Sequence, residues 1–237
     1  MINKEDWGLM KRVAVFQGFS SELIDFLWEL RMNNSKEWME KNRNRYKEVM
    51  KEPFDEFSKE LAEAFLGRCN RNMDWSVSRI NRDIRFSKDK SPYRTNRWVV
   101  LREKEIKNAE AGKERPAFYF DISPEGYEFG MGFYGASTGF LEQYRKKIES
   151  NPSAFWRVAK KMEKLAGYEI RGDEYKRMKA DGLDQKILPW YRKKSISVSR
   201  AFELDDVVFS ADLIESVVQG WMETMPLYEY LISIKAE

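Results

Sequence analysis

Histidine is absent from this 237-residue chain, and cysteine occurs once, as Cys69. Without histidine the chain cannot use a Ser-His-Asp or Cys-His nucleophile, a histidine-ligated zinc ion, or a histidine general acid or base. A single cysteine forms neither a disulfide nor a thiolate metal site within one chain, and it is typical of a reducing compartment. Any catalysis would therefore use carboxylates, lysine, tyrosine, serine or an oxygen-bound Mg²⁺.

Long apolar runs are also missing. No stretch approaches the roughly 18 residues that a membrane span requires, and residues 1–11 are polar, without the apolar core of a signal peptide. These features predict a cytoplasmic protein with no membrane partner.

The chain does have the material for a sizeable core, since 42% of its residues are hydrophobic and 14% are aromatic. Charged residues make up 34% of the chain and predict a well-solvated surface. No repeat, low-complexity tract or linker divides the sequence. We therefore expect an N-terminal extension over residues 1–17 and one domain over residues 18–237.

Helical periodicity marks the first seventy residues. The apolar residues within 23–30 recur at the spacing of one helix face. Ser35 is expected to begin a second helix, which Pro53 breaks or restarts. The apolar stripe that follows ends at Gly67, which we interpret as the glycine just after a helix C-terminus.

Two further helix starts are predicted nearer the C-terminus. Asn151 followed by Pro152 is a favourable N-cap and first helical position. Ser210 is expected to cap a last helix, which Pro226 would end.

Alternating polar and apolar residues predict strands in the middle of the chain. Ile80, Ile84 and Phe86 share one face of a predicted strand in the second half of 75–86. Other predicted strands are 97–103, a hairpin of 117–123 and 126–134, and short strands near 168–170 and 195–198. Together these elements predict an α+β fold, an antiparallel or mixed β-sheet covered by amphipathic helices in a single domain.

Positive charge is concentrated in the basic segment, residues 79–97. Seven arginine and lysine residues against two aspartates give it a net charge of +5, whereas the whole chain carries +3. Guanidinium groups on one face can fork onto phosphate or carboxylate oxygens. We therefore predict that a small anionic ligand, phosphate- or carboxylate-bearing, binds to Arg79, Arg82, Asp83, Arg85, Lys88, Lys90, Tyr93 and Arg94.

Two other interpretations of the basic segment remain open. It could bind nucleic acid together with basic residues of 145–164, with Tyr93 and Trp98 as stacking surfaces, although the isoelectric point near 8.7 is modest. It could instead be a network of arginine–carboxylate pairs in a structural or protein-interaction domain.

The stretch 79–96 (RINRDIRFSKDKSPYRTN) resembles the signature of a bacterial and fungal family called domain of unknown function 2461. The resemblance covers residues 18–232 and includes Phe19, Leu23, Leu27, Asn33, Asn34, Trp38, Tyr46, Pro53, Tyr119, Gly130, Gly132, Tyr134 and residues 145–148. It implies an α+β fold and a common central segment. It implies no activity.

Weaker signals lie around the predicted hairpin. Asp121, Glu125 and Glu128 could bind Mg²⁺, but acidic hairpin turns commonly serve solubility. Gly130 and Gly132 do not precede a helix, so they match no phosphate-binding loop and are interpreted as bulge or tight-packing glycines. No metal site is predicted, and the sequence specifies neither a cofactor, nor catalytic residues, nor an oligomeric state.

Overall fold

A six-stranded antiparallel sheet organises the part of the chain that the structure describes. The structure is a computed structural model that describes residues 15–85, 88–104, 115–133, 135–178 and 182–234. The strands are β1 (Met73–Val77), β2 (Arg97–Glu103), β3 (Ala117–Ser123), β4 (Gly126–Phe133), β5 (Glu169–Arg171) and β6 (Ile196–Glu203). Their spatial order is β1-β2-β3-β4-β6-β5, so that β1 and β5 form the two edges.

Helices precede β1, lie between β4 and β6, and follow β6 in the chain. They are α1 (Ser21–Met32), α2 (Lys36–Lys41), α3 (Arg43–Tyr46), α4 (Glu52–Cys69), α5 (Thr138–Ser150), α6 (Pro152–Glu163), α7 (Leu188–Tyr191) and α8 (Asp212–Ile232). One π-helical turn, Lys47–Lys51, joins α3 to α4.

The two faces of the sheet differ because side chains alternate along each strand. On the face that α4 and α8 cover, here called the helix-covered face, the Phe120 ring lies 4.7 Å from that of Phe57. Phe118 lies 4.7 Å from Phe65 and 5.7 Å from Trp221. The opposite face, here called the open face, carries the intervening residues of the strands.

Several predicted elements are confirmed. The α+β fold with an antiparallel sheet is present, and so is the hairpin of β3 and β4. The Asn151 side chain accepts a hydrogen bond from the backbone N–H of Ala154 at 3.0 Å, with Pro152 in the first helical turn of α6. The first of the three early helices is α1, and its apolar stripe is fully buried.

The predicted strand in the second half of 75–86 is wrong. Strand β1 ends at Val77, and over the described residues 78–85 the chain makes one isolated bridge, between Asn81 and Tyr93. Ile80 is buried, but Ile84 is 42% exposed, so the alternating pattern has no core behind it. The backbone N–H of Arg85 bonds to the Asp83 carboxylate instead of a neighbouring strand.

Ser35 caps α2 as predicted, but one predicted helix is divided and two predicted helix ends are wrong. The helix predicted from Ser35 is divided at Asn42, whose amide donates to the carbonyl of Trp38. Gly67 lies inside α4, and Asn70 takes the left-handed conformation after it, with φ 49°. Pro226 lies inside α8, because the residues after it are buried in the core and this packing outweighs one missing hydrogen bond.

Some predictions fall outside the described residues. These include Phe86, Tyr134 and most of the predicted N-terminal extension. Among the helices of the described ranges, none is long and apolar enough to cross a bilayer.

Candidate functional site

A cavity of about 730 Å³ opens on the open face of the sheet and is called here the sheet-face cavity. The charged residues that line it are Arg94, Arg102, Arg115, Arg171, Asp121 and Glu128. The neutral residues that line it are Asn96, Trp98, Val100, Ala117, Tyr119, Gly132, Phe133 and Gly135. Its volume lies within the range of small-molecule sites, about 300–1,000 Å³.

Strand register places one row of functional groups at one end of the cavity. Trp98 lies opposite Asp121, and Asp121 lies opposite Glu128. Side chains directly opposite each other on antiparallel strands have Cβ atoms about 4.5–5.5 Å apart. This acid row (Trp98, Asp121 and Glu128) therefore brings an indole ring and two carboxyl groups together.

A row of small residues crosses the cavity further along the strands. Ala117 lies opposite Gly132, and Gly132 lies opposite Ser197. Ser197 in turn lies opposite Arg171. This small row (Ala117, Gly132 and Ser197) leaves the cavity deep there, because none of the three side chains rises far above the sheet.

The Asp121 carboxyl group is half-buried. It accepts a hydrogen bond from the Asn96 amide nitrogen at 2.7 Å. Burial raises the pKa of Asp121 to about 7, and the nearby charge of Glu128 acts in the same direction. A large fraction of Asp121 is therefore the neutral acid at neutral pH.

Glu128 is held by two partners instead. The Tyr119 hydroxyl donates to one of its oxygens, and Arg171 Nη1 donates to the other at 2.9 Å. Burial, and then the hydrogen bond to Glu128, raise the pKa of the Tyr119 phenol well above its usual range, so that it remains a proton donor. The two carboxyl groups of the acid row thus occupy different environments.

Two glycines of β4 leave room for the Tyr119 side chain to extend across the sheet. Gly130 and Gly132 lie on the open face between β3 and β6, and Gly132 lines the cavity. A Cβ atom at Gly130 would lie 2.3 Å from the carbonyl oxygen of Val198, so β4 and β6 approach too closely for any side chain there. Across this gap the Tyr119 hydroxyl lies 3.1 Å from Ser197 Oγ. The expectation of tight-packing glycines is confirmed.

The basic segment meets the cavity at Arg94. The Arg94 guanidinium lies over the Trp98 ring, 4.7 Å from its centroid, a cation–π arrangement. The Arg94 backbone N–H donates to the carbonyl of Ile80 at 2.8 Å, and that of Trp98 donates to Ser78 Oγ at 3.0 Å. These bonds hold the stacked pair at the edge of the cavity.

The other residues predicted to bind the ligand do not line the cavity. Tyr93 is buried, and its backbone N–H and carbonyl both bond to the side chain of Asn34. Arg82 pairs with Asp89 at 3.1 Å. The Lys90 ammonium donates to a backbone carbonyl, whereas Arg79 and Lys88 are exposed.

Asp83 and Arg85 form an exposed pair close to Arg94. Arg85 donates to both Asp83 oxygens, at 2.9 and 2.7 Å. This pairing lowers the pKa of Asp83 to about 2, and Arg94 makes a smaller contribution in the same direction. The pair therefore lies within electrostatic range of the cavity edge.

Glu125, considered with Asp121 and Glu128 as a Mg²⁺ ligand, is separated from them. It pairs with Arg31 of α1, with 3.0 Å between Arg31 Nη2 and Glu125 Oε2. Over the described ranges, no group of three residues is placed to hold a metal ion.

Sequence reasoning missed most of the cavity. Arg102, Arg115 and Arg171 lie far apart in the chain, and only the sheet register brings them to one site. The signal that was present is the alternation in β3, where Tyr119 and Asp121 interrupt the apolar residues.

One family model, described as conserved hypothetical protein (DUF2461), matches residues 22–230 of the chain. No curated protein shows a significant match to it.

Proposed function

This chain belongs to the DUF2461 family of conserved hypothetical proteins, and because that description names no activity, we propose from the sheet-face cavity that the protein binds a small anionic ligand. One observation carries this proposal. Among the described residues, four arginines line the cavity against two carboxyl groups, so this part of the lining has an excess of basic residues.

The charge of the cavity favours an anion. Asp121 is partly protonated near pH 7, because its pKa is raised to about 7, and Glu128 is paired with Arg171. The part of the lining that the structure describes is therefore net positive, in a concave and partly desolvated site. Guanidinium groups bind carboxylate and phosphate oxygens through two parallel hydrogen bonds, which makes these groups the preferred ligands.

The neutral form of Asp121 supports the same ligand class. A protonated carboxyl group donates a hydrogen bond to an anionic oxygen, whereas a carboxylate would repel it. Binding of an anionic ligand within the cavity therefore favours the protonated acid at Asp121, and the affinity should decrease as the pH rises above 7.

The basic segment contributes in two ways under this proposal. Arg94 contacts the ligand directly. The remaining predicted residues, Arg79, Arg82, Asp83, Arg85, Lys88, Lys90 and Tyr93, would shape the loop and add positive potential at the edge of the cavity. Among them, Asp83 is close enough to Arg94 for the Arg94 charge to lower the pKa of Asp83.

A thermal-shift screen of phosphorylated and carboxylated metabolites tests the proposal, followed by calorimetric titration of any hit. We expect a hit whose affinity decreases at least tenfold in Arg94→Ala, because one charged hydrogen bond contributes about 1.5–3 kcal/mol. Arg157→Ala is the matched control, since Arg157 is an exposed arginine of α6 outside the cavity.

Arg85→Ala separates the cavity from the rest of the segment. We expect a loss of affinity smaller than that of Arg94→Ala. If no anion shifts the unfolding transition, or if Arg94→Ala and Arg157→Ala behave alike, the proposal is wrong.

A further inference from the structure

We infer that the ligand of the sheet-face cavity is a mononucleotide or a close analogue, with its planar heterocycle at the acid row and its phosphate near Arg102 and Arg115. This inference rests on the proposed anion binding and specifies its ligand class. It follows from the different chemistry of the two ends of the cavity.

The two ends are separated by the length of a strand segment. Trp98 and Arg102 project from the same face of β2, four residues apart. At about 3.3 Å per residue, their Cα atoms lie roughly 13 Å apart along the strand. A ligand that uses both ends must therefore be elongated, with its anionic group remote from the part that contacts Trp98.

The acid-row end suits a flat, hydrogen-bonding ring. The stacked Arg94 and Trp98 present a planar surface, and nucleobases stack on indole and guanidinium planes. Beside this surface Asn96 and Asp121 are joined by a 2.7 Å hydrogen bond. The neutral Asp121 acid offers one donor and one acceptor side by side, which matches the alternating donors and acceptors on the edge of a heterocycle.

The opposite end suits a phosphate group. Arg102 of β2 and Arg115, two residues before β3, both line the cavity there. Ala117 and Gly132 form the floor beside them, so a tetrahedral group can approach the backbone closely. Arginine is the side chain best matched to phosphate oxygens.

The middle of the cavity suits a pentose. Tyr119 lines the cavity between the two ends, and its hydroxyl group lies 3.1 Å from the buried Ser197 Oγ. Val100, which pairs with Tyr119 in the sheet, adds an apolar surface. A hydroxyl group of a sugar can donate a hydrogen bond to the Tyr119 oxygen, whose own proton is directed to Glu128.

Calorimetric titration with AMP, GMP, CMP and UMP tests the inference, with ribose 5-phosphate and the four nucleosides as fragments. We expect at least one mononucleotide to bind about tenfold or more tightly than ribose 5-phosphate, because stacking and edge contacts add to phosphate binding. A ribose 5-phosphate affinity within twofold of every mononucleotide would overturn the inference.

The panel also includes citrate and inorganic phosphate. If these anions bind and no mononucleotide binds more tightly, the proposed function stands and the ligand class is wrong. If no compound in the panel binds, both are wrong.

Trp98→Leu and Trp75→Leu form a matched pair of variants. Trp98 lines the cavity, whereas Trp75 is exposed on β1 and does not. We expect Trp98→Leu to reduce mononucleotide affinity about tenfold and to leave ribose 5-phosphate affinity unchanged. Equal losses for both ligands would contradict stacking, and far-ultraviolet circular dichroism verifies that each variant is folded.

Discussion

The two faces of β3 serve different purposes within seven residues. Phe118, Phe120 and Ile122 point into the core and are at most 1% exposed. Tyr119 and Asp121, between them in the sequence, point into the sheet-face cavity. One strand thus contributes both to the hydrophobic core and to the candidate ligand site, because its side chains alternate between faces.

The difference extends to how the two faces are stabilised. Side chains of the helix-covered face gain from burial and ring contacts, such as the 4.7 Å approach of Phe120 to Phe57. Polar groups of the open face are partnered with one another, as in the contacts of Asn96 with Asp121 and of Arg171 with Glu128. We therefore expect substitutions on one face to change stability and substitutions on the other to change binding and pH dependence.

The largest effect is expected on the helix-covered face, from Phe120→Ala. Removing a fully buried phenyl ring leaves a cavity in the core and should lower the free energy of unfolding by about 3–5 kcal/mol. Urea denaturation measures this change. Val100→Ala is the control on the open face. Because the Val100 side chain is partly exposed, this substitution should lower the free energy of unfolding by less than about 1 kcal/mol. Similar costs for the two variants would contradict the division between the faces.

An intermediate effect is expected at the boundary between β4 and β6, from Gly130→Ala. Its Cβ would lie 2.3 Å from the Val198 carbonyl oxygen and 2.7 Å from Ser199 Cα. The strands must separate to admit it, at a cost of about 1–3 kcal/mol.

Gly67→Ala is the control for Gly130→Ala. A Cβ at Gly67 meets no atom within 4 Å, and Gly67 lies inside α4. Because alanine favours the helix, this substitution should stabilise the protein by about 0.5–1 kcal/mol in the same denaturation assay. A lower free energy of unfolding for Gly67→Ala, or an unchanged one for Gly130→Ala, would contradict the packing described at these positions.

The smallest effect is expected on the open face, from Asp121→Asn, and it depends on pH. The pKa of Asp121 is about 7 in the folded protein and about 4 in an unfolded chain. The folded state therefore holds the proton between these values, and the free energy of unfolding decreases as the pH rises through this window. The amide introduced by the substitution cannot ionise. The free energy of unfolding of the variant should therefore be about 1–2 kcal/mol higher than that of the wild type at pH 8 and equal to it near pH 4.

Asp83→Asn is the control with the opposite sign. Arg85 lowers the pKa of Asp83 to about 2. The ionised Asp83 carboxylate therefore stabilises the folded state above about pH 4, and this stabilisation is lost as the pH falls toward 2. The variant should therefore be no more stable than the wild type at pH 8. Urea denaturation from pH 4 to 8 follows both variants, and a pH-independent difference for Asp121→Asn would refute the assigned titration.

The sequence predicted those parts of the fold that depend on local signals. The side-chain cap of Asn151 and the turn before Gly126 act within a few residues, so their patterns could be recognised directly. Pro226 was misinterpreted because its effect depends on distant residues of the core, which keep α8 helical beyond it. Ile84 was misinterpreted because alternation does not reveal whether a core lies behind a strand.

The candidate site was predictable only in part. Arg94 was identified from the charge of the basic segment, and it lines the cavity. Arg102 and Arg171 could not be grouped with it, because they meet only through the pairing of β2 with β3 and of β5 with β6. Asp121 was considered as a metal ligand, since its burial and its contact with Asn96 are not visible in sequence.

The strand order has a consequence for the timing of folding. β1 to β4 pair with their neighbours in the chain, whereas β6 must close a loop of roughly sixty residues before it docks on β4. Contacts that close long loops form late, because the lost chain entropy is recovered only afterwards. We therefore expect the acid row to form early, when β1 to β4 pair. Ser197 of β6 and Arg171 of β5 should reach their native positions last. Ligand binding would then report on completion of the native state and not on any partly folded intermediate.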